Sequence, residues 1–341
     1  MSSALMARDH GYRVSVVAGR DGVLARRLAS APGIELLPLR LGGMSFLNPV
    51  VMAGLTRFFR REAVDAVLLC LPRDVKAGGV AAKFADVPDI IYRRGIAVPV
   101  RDRWSNRLLY GRVVTKLIVN SRETARCVLA ENPRLIEPER IHLIYNGFDV
   151  AAFDARESAP TPRRSGEIVI GNAGRLTRQK GQHLLLEAVA LLRQRGAPPF
   201  RVRIAGIGEL EDELKNQAGS LGLDDVVEFV GFVEDMKAFQ QGIDIFALPS
   251  LWEGFGFVLA EAMCLSRPVA AFDVSSIPEV VEDGVTGLLS PPTAEGLADN
   301  LLRLLNDAPL RARLGAAGRL RLMERFDVRR TFAALEDCLR A

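Results

Sequence analysis

Short apolar runs alternate with helical segments of about 10–15 residues along almost the whole chain, which restricts it to an α/β protein with parallel sheets covered on both faces. Strands are expected over 13–18, 34–37, 66–69, 89–92, 116–120 and 141–144, with helices over 48–62, 74–85, 104–114 and 122–130. Asn146 and Gly147 then mark a turn, and residues 159–166, with Pro160, Pro162 and Gly166, read as a polar linker. A second series follows. Its strands fall over 168–172, 201–205, 226–230, 245–248, 269–272 and 286–289, and its helices over 182–194, 209–219, 236–242, 256–264, 294–305 and 310–325. Residues 328–340 read as one more helix. At 341 residues and 49% hydrophobic composition, the chain is long enough for two such domains.

The opening is irregular. Residues 1–9 read as the end of a helix, where an alternating protein normally starts on a strand and a glycine turn. The expectation is a first domain lacking its first strand, with an unpaired slot in its sheet, as if about 20–25 residues were missing.

Charge is unevenly spread. Residues 1–150 hold 23 Lys and Arg against 14 Asp and Glu, a net of +9, while the remainder nets −5. A basic first half suits an anionic partner, either a charged acceptor or a membrane surface; a solvated basic face accounts for it equally well. The four cysteines (Cys70, Cys127, Cys264, Cys338) form no C-x-x-C and indicate neither disulfide nor zinc, which suits a reducing cytoplasm. No apolar run reaches the ~18 residues of a membrane span. The three histidines are not at metal-ligand spacing, and no Asp-x-Asp occurs to hold a metal–diphosphate complex, so metal independence is expected.

The chemistry concentrates in the second half, at strand ends, where open parallel sheets bind ligands. After the strand at 245–248 come Glu253, Gly254, Phe255, Gly256 and Phe257, and then a helix carrying Glu261. Glycines let a backbone approach a ligand closely, and a helix start favours phosphate. Carboxylates repel phosphate but accept hydrogen bonds from hydroxyls, so this combination reads as a nucleotide-sugar site. The loop after the strand at 168–172 carries Arg175 and Lys180, two cations suited to a diphosphate leaving group. It is not a Walker loop, because Gln179 stands where the second glycine is required. A solvated basic loop is the plain alternative. Gly206 and Gly208 end the next strand without completing a dinucleotide fingerprint, since Glu211 takes the sixth position. They, with Gly231 and Phe232, either border a nucleobase or ribose or simply make tight turns. In the first half Arg93 and Arg94 end a strand and are candidates for binding an anionic acceptor or the donor phosphates. The helix from Trp104 to Tyr110 could touch a membrane surface, though a salt-bridged surface explains it nearly as well.

Together these residues resemble the retaining glycosyltransferases of family four. Glu253 and Glu261, seven residues apart, match that family's paired glutamates, and the Gly174-to-Gly181 loop matches its diphosphate clamp. A further stretch with Ser275, Ile277, Pro278, Glu279 and Gly284 is similar to the continuation of the motif. The resemblance implies the GT-B fold, two Rossmann-like domains facing a cleft. These would be an acceptor-side domain at 1–149, a nucleotide-sugar domain at 150–326 and a terminal helix at 327–341 packing back on the first. It implies that Arg175 and Lys180 bind the diphosphate with help from the 254–257 amides, that Glu261 takes the ribose hydroxyls and Glu253 the transferred sugar. Many members carry a histidine near Tyr92, leaving Arg93 or Arg94 to make that contact here. The implied activity is hexose transfer, with retention, from a nucleotide diphosphate sugar to a glycan or lipid-linked acceptor in cell-envelope polysaccharide or lipopolysaccharide synthesis. No cofactor, no metal and no nucleic acid are expected, and the location is cytoplasmic or peripheral on an anionic membrane. The competing readings are an epimerase or hydrolase of nucleotide sugars and a non-catalytic sugar-nucleotide-binding protein on the same fold.

Overall fold

The computed structural model describes residues 2–19, 22–28, 31–162 and 166–340; Arg163, Arg164 and Ser165 of the expected linker lie outside the described residues. The chain divides into two compact units, one formed by Met1–Gly147 with Val328–Ala341 and the other by Phe148–Asp327.

In the second unit β7 (Ile168–Ala173), β8 (Phe200–Ala205), β9 (Val227–Gly231), β10 (Ile245–Leu248), β11 (Val269–Phe272) and β12 (Gly287–Ser290) form one parallel sheet. The strand order is β12-β11-β10-β7-β8-β9. The chain runs outward from β7 in one direction, then returns to start again at β10 beside it. The switch point therefore lies between β7 and β10, where sheets of this kind open a crevice at their carboxyl edge. Every residue of β10 and β11 is buried, as expected of strands covered on both faces. Leu185, Val189 and Leu192 of the Gln182–Gln194 helix and Leu297, Leu301 and Leu304 of the Ala294–Asn306 helix share the core beneath. Their three- and four-residue spacing gives each helix one apolar stripe.

The first unit is less continuous. β1 (Val14–Ala18) pairs only with β2 (Ile34–Pro38), and β3 (Ala66–Leu69), β4 (Asp89–Arg94), β5 (Lys116–Val119) and β6 (Ile141–Leu143) form a separate parallel sheet. Among the described residues no strand joins β1 to β3, and all five residues of β1 are only half-buried. Phe332, Leu335 and Cys338 of the Val328–Arg340 helix pack on Ile91, Ile118 and Ile144, closing one face of the four-stranded sheet.

Two helices expected to be regular are not. The 74–85 segment begins with a short helical turn, then widens into a π-helix at Val75–Gly79 before resuming at Val80–Phe84. The space beside Gly78 and Gly79 is taken by the Leu69 side chain, 3.1 Å from where either Cβ would stand, so the local backbone follows β3 rather than an ideal helix. The 104–114 segment likewise turns π over Leu109–Val113. Periodicity alone does not reveal such bulges.

Candidate functional site

Three loops meet at the switch point of the second unit. The loop after β7 ends in a 3-10 turn at Arg178–Lys180 and then Gly181, which adopts φ +64° and starts the Gln182–Gln194 helix. A Cβ on Gly181 would stand 2.0 Å from the Pro249 carbonyl oxygen, so only glycine lets this loop lie against the end of β10. Leu251 N donates to the Gln179 carbonyl and Gln179 Nε2 to the Trp252 carbonyl, each at 2.8 Å, lacing the two loops together.

Lys180 Nζ consequently reaches Glu253 Oε1 at 2.5 Å. Ser250 Oγ donates to the same oxygen at 2.8 Å, and the Glu253 carbonyl accepts from both Ser275 Oγ (2.8 Å) and Ser276 Oγ (2.9 Å). Ser275 holds φ +54°, a conformation unusual for a residue other than glycine, and it is the price of that clamp. Glu253 does not sit at the open mouth of the turn, as its place in the sequence suggests; it is 6% exposed, with its Oε1 and its carbonyl both held. The buried carboxylate is tolerable because a cation and a hydroxyl compensate it. Arg175, one turn earlier, is exposed and its guanidinium has no hydrogen bond or ion pair among the described residues.

Beyond Glu253 the chain passes Gly254 and the buried Phe255, whose ring packs edge-on against Phe257 and Phe326. Gly256, at φ +77°, caps the Phe257–Cys264 helix, whose first amides have no partner within the helix itself. Glu261 lies in the second turn. Its Oε2 is buried without a hydrogen-bond partner, and burial pushes its carboxyl up to about 7 against a smaller opposing pull from Arg156. An orphaned buried oxygen at a strand-end crevice is a place for a ligand donor, because leaving it unpaired costs about 1–3 kcal/mol.

Gly206 and Gly208 have a packing requirement of their own. A Cβ on Gly206 would meet the Gly174 carbonyl oxygen at 1.9 Å, and one on Gly208 would meet Leu176 backbone atoms from 2.3 Å. Their bare backbones accommodate the β7 loop. Gly206 N in turn donates to the Gly231 carbonyl at 2.7 Å, so the ends of β7, β8 and β9 stand side by side. At Gly231 (φ +69°) the space is open, and Phe232 beside it is 73% exposed.

Arg93 and Arg94 do not act as a pair. Successive residues of a strand point to opposite faces. Arg93 bonds Ser3 Oγ (3.3 Å) and Asn146 Oδ1 (3.0 Å), and burial lowers its affinity for its proton; Arg94 turns toward Val98, Tyr92 and Tyr110. Residues that sequence reasoning left unassigned are Ser250 and Ser276, which with Ser275 fix Glu253. The three-residue step from Ser250 to Glu253 is the one local signal for them. Among the described residues no three His, Cys, Asp or Glu are grouped to hold a metal, and no helix is long and apolar enough to cross a membrane.

Known proteins share these features. The model for "Glycosyl transferases group 1" matches residues 154–321, and that for "Glycosyltransferase Family 4" matches residues 2–152. The chain is 32% identical over 238 residues to a putative colanic acid biosynthesis glycosyltransferase, WcaL, of Salmonella typhimurium, covering 67% of this chain and 52% of that protein. It is also 32% identical to the alpha-D-kanosaminyltransferase of Streptomyces kanamyceticus, over 62% of this chain and 56% of that one. Its matches thus span about half the length of these curated relatives. The crystal structure of Anabaena Alr3699/HepE in complex with UDP and glucose superimposes with a TM-score of 0.81 at 25% identity, over 99% of this chain and 94% of the other. With two family models taking in residues 2–152 and 154–321 between them, the chain belongs to glycosyltransferase family four, the group 1 glycosyl transferases of GT-B fold.

Proposed function

We propose that this protein transfers a hexosyl group from a nucleotide diphosphate sugar to a hydroxyl of a glycan or lipid-linked glycan, with retention of anomeric configuration and without a metal. The observation that carries the reading is the Lys180–Glu253 pair at the switch point, one helical segment away from a Glu261 oxygen that lacks a partner. Arg175 and Lys180 neutralise the charge that grows on the diphosphate as the bond from sugar C1 to phosphate oxygen breaks. The first-turn amides after Gly256 add fixed positive ends to the same task. Glu261 accepts from the ribose hydroxyls and Glu253 from hydroxyls of the sugar. The acceptor oxygen bonds to C1 on the face the diphosphate leaves, and its proton passes to the departing phosphate oxygen. No protein general base is then required; the residues position and neutralise. The relatives named for colanic acid biosynthesis and for kanosaminyl transfer support sugar transfer as the class.

The test is a thermal-shift screen with UDP, GDP and ADP sugars, since a ligand binding only the folded state raises Tm by mass action. A stabilising donor is then incubated with extracted envelope glycans in excess EDTA, and the product's anomeric coupling is read by NMR. Donor consumption at the same rate without acceptor favours a hydrolase, and binding without turnover favours a binding protein. Rescue by Mg²⁺ after loss in EDTA overturns metal independence.

A further inference from the structure

The first unit contains a basic pocket made of residues other than the donor contacts proposed in the second unit. It encloses about 250 Å³ beyond the carboxyl ends of β3 and β4, and its lining includes Lys76, Arg94, Arg101 and Arg103 but no carboxylate. Its floor is formed by two buried tyrosines, Tyr92 and Tyr110, whose rings meet edge-on at 5.9 Å beside Arg94.

The cations are not committed to other carboxylates. Arg101 and Arg103 are exposed, and their guanidinia make no hydrogen bond or ion pair among the described residues. Lys76 lies over the Phe46 ring at 5.8 Å and has no ion pair among the described residues. Arg94 gives one Nη to the Val98 carbonyl at 2.5 Å, while its Nε is buried without a partner. The two acids adjoining the pocket are occupied: Asp102 is held by Arg107 and Asn132, and Asp74 caps the Leu71 amide at 2.9 Å. Burial raises both phenols above the ordinary tyrosine range, which keeps them neutral donors. Four cations converging without a counter-charge repel one another, and a compact anion relieves that repulsion while satisfying their donors.

We propose that this pocket binds an anionic group carried by a sugar, a phosphate or a carboxylate, and that the acceptor is therefore a charged glycan anchored here. The volume is below the range of pockets that enclose a whole drug-sized ligand, so one charged residue of the glycan fits, not a chain of them. The acceptor role rests on the transferase reading; anion binding does not.

The experiment titrates the full chain with glucose 1-phosphate, glucuronate and glucose by calorimetry, and with UDP on the same preparations. Arg101→Gln/Arg103→Gln is compared with Lys180→Gln in the second unit. The expected result is that at least one anionic sugar binds tenfold or more tightly than glucose, and that the double variant loses about tenfold of that affinity while UDP binding is unchanged. Lys180→Gln should show the converse. Binding of glucose 1-phosphate alone, or of glucuronate alone, supports the pocket and names its ligand. Equal binding of glucose, or undiminished anion binding in the double variant, overturns it. If UDP binds none of the proteins while the anion pattern holds, the transferase reading fails and the pocket stands.

Discussion

Lys180 in the second unit and Arg101 in the first both follow a strand's carboxyl end, yet their surroundings differ. Lys180 is paired at 2.5 Å with a buried glutamate that three serines hold in place; Arg101 is exposed and unpaired among the described residues. The second unit builds its site from groups that already satisfy one another, on one uninterrupted six-stranded sheet, and leaves a single carboxylate oxygen waiting. The first unit gathers cations that nothing nearby neutralises, on strands divided between two sheets. Preorganised charge suits a reaction in which fixed dipoles must not reorganise, whereas unpaired exposed charge suits capture of a variable ligand.

The widest break in this comparison should come from Lys180→Ala. It removes a cation from the diphosphate position and leaves the buried Glu253 carboxylate with no counter-charge, only the Ser250 hydroxyl. We expect turnover to fall by roughly a hundredfold, on the order of 3 kcal/mol in transition-state stabilisation, with a drop in Tm besides. Arg101→Ala, stripped of no partner, should leave Tm within the change of about 0.5 kcal/mol typical of surface sites. Comparable losses of stability in both variants would erase the distinction. Gly181→Ala tests the same contrast through the backbone. A methyl group there meets the Pro249 carbonyl and takes a left-handed conformation, so about 3 kcal/mol of stability should be lost in denaturant unfolding, with UDP binding. Gly43→Ala in the first unit, with open space around it, should cost under about 0.5 kcal/mol.

Glu261 supplies the pH dependence. Its carboxyl is raised to about 7, so between the ordinary glutamate range and pH 7 the folded chain binds more proton than the unfolded one. Its contribution to stability is therefore complete in acid and lost as pH rises through 7. Glu261→Gln removes this slope, and its stability relative to the parent should rise by about 3 kcal/mol from pH 4 to pH 8. UDP should bind the parent more tightly at pH 8 than at pH 6, because ribose hydroxyls donate best to the ionised carboxylate, and the variant should show no such gain. Glucuronate binding in the first unit should stay flat over the same range, since the phenols that floor its pocket are raised by burial and stay neutral there.

Much of this was legible before any coordinates. The alternation of strand and helix is a period that burial on both sheet faces imposes, and Glu253, Glu261, Arg175 and Lys180 follow from where strands end. What the sequence withheld is what depends on packing between distant segments. Nothing near Gly206 or Gly208 announces that the backbones of Gly174 and Leu176 fill the space beside them. Arg93 and Arg94 look like a pair in the sequence and are divided by the strand's own alternation. The π-turn at Val75–Gly79 lies against the Leu69 side chain, a contact that its own composition does not announce.

The smallest effect sharpens the comparison most, because it asks whether Glu253 is held or merely present. Ser276 Oγ donates 2.9 Å to the Glu253 carbonyl from a fully buried position, and Ser275 Oγ shares that acceptor at 2.8 Å. Ser276→Ala deletes one neutral hydrogen bond while the other remains, so stability should fall by about 1 kcal/mol. The same change loosens the loop that aims the carboxylate, and orientation enters the rate only where the sugar is being transferred. We therefore expect kcat to fall several-fold with UDP affinity unchanged, and Ser276→Thr, which keeps the hydroxyl, to recover most of the loss. A fall in Tm with kcat untouched would mean that the serines support the fold alone, and that the second unit's site is no more tightly organised than the first unit's pocket.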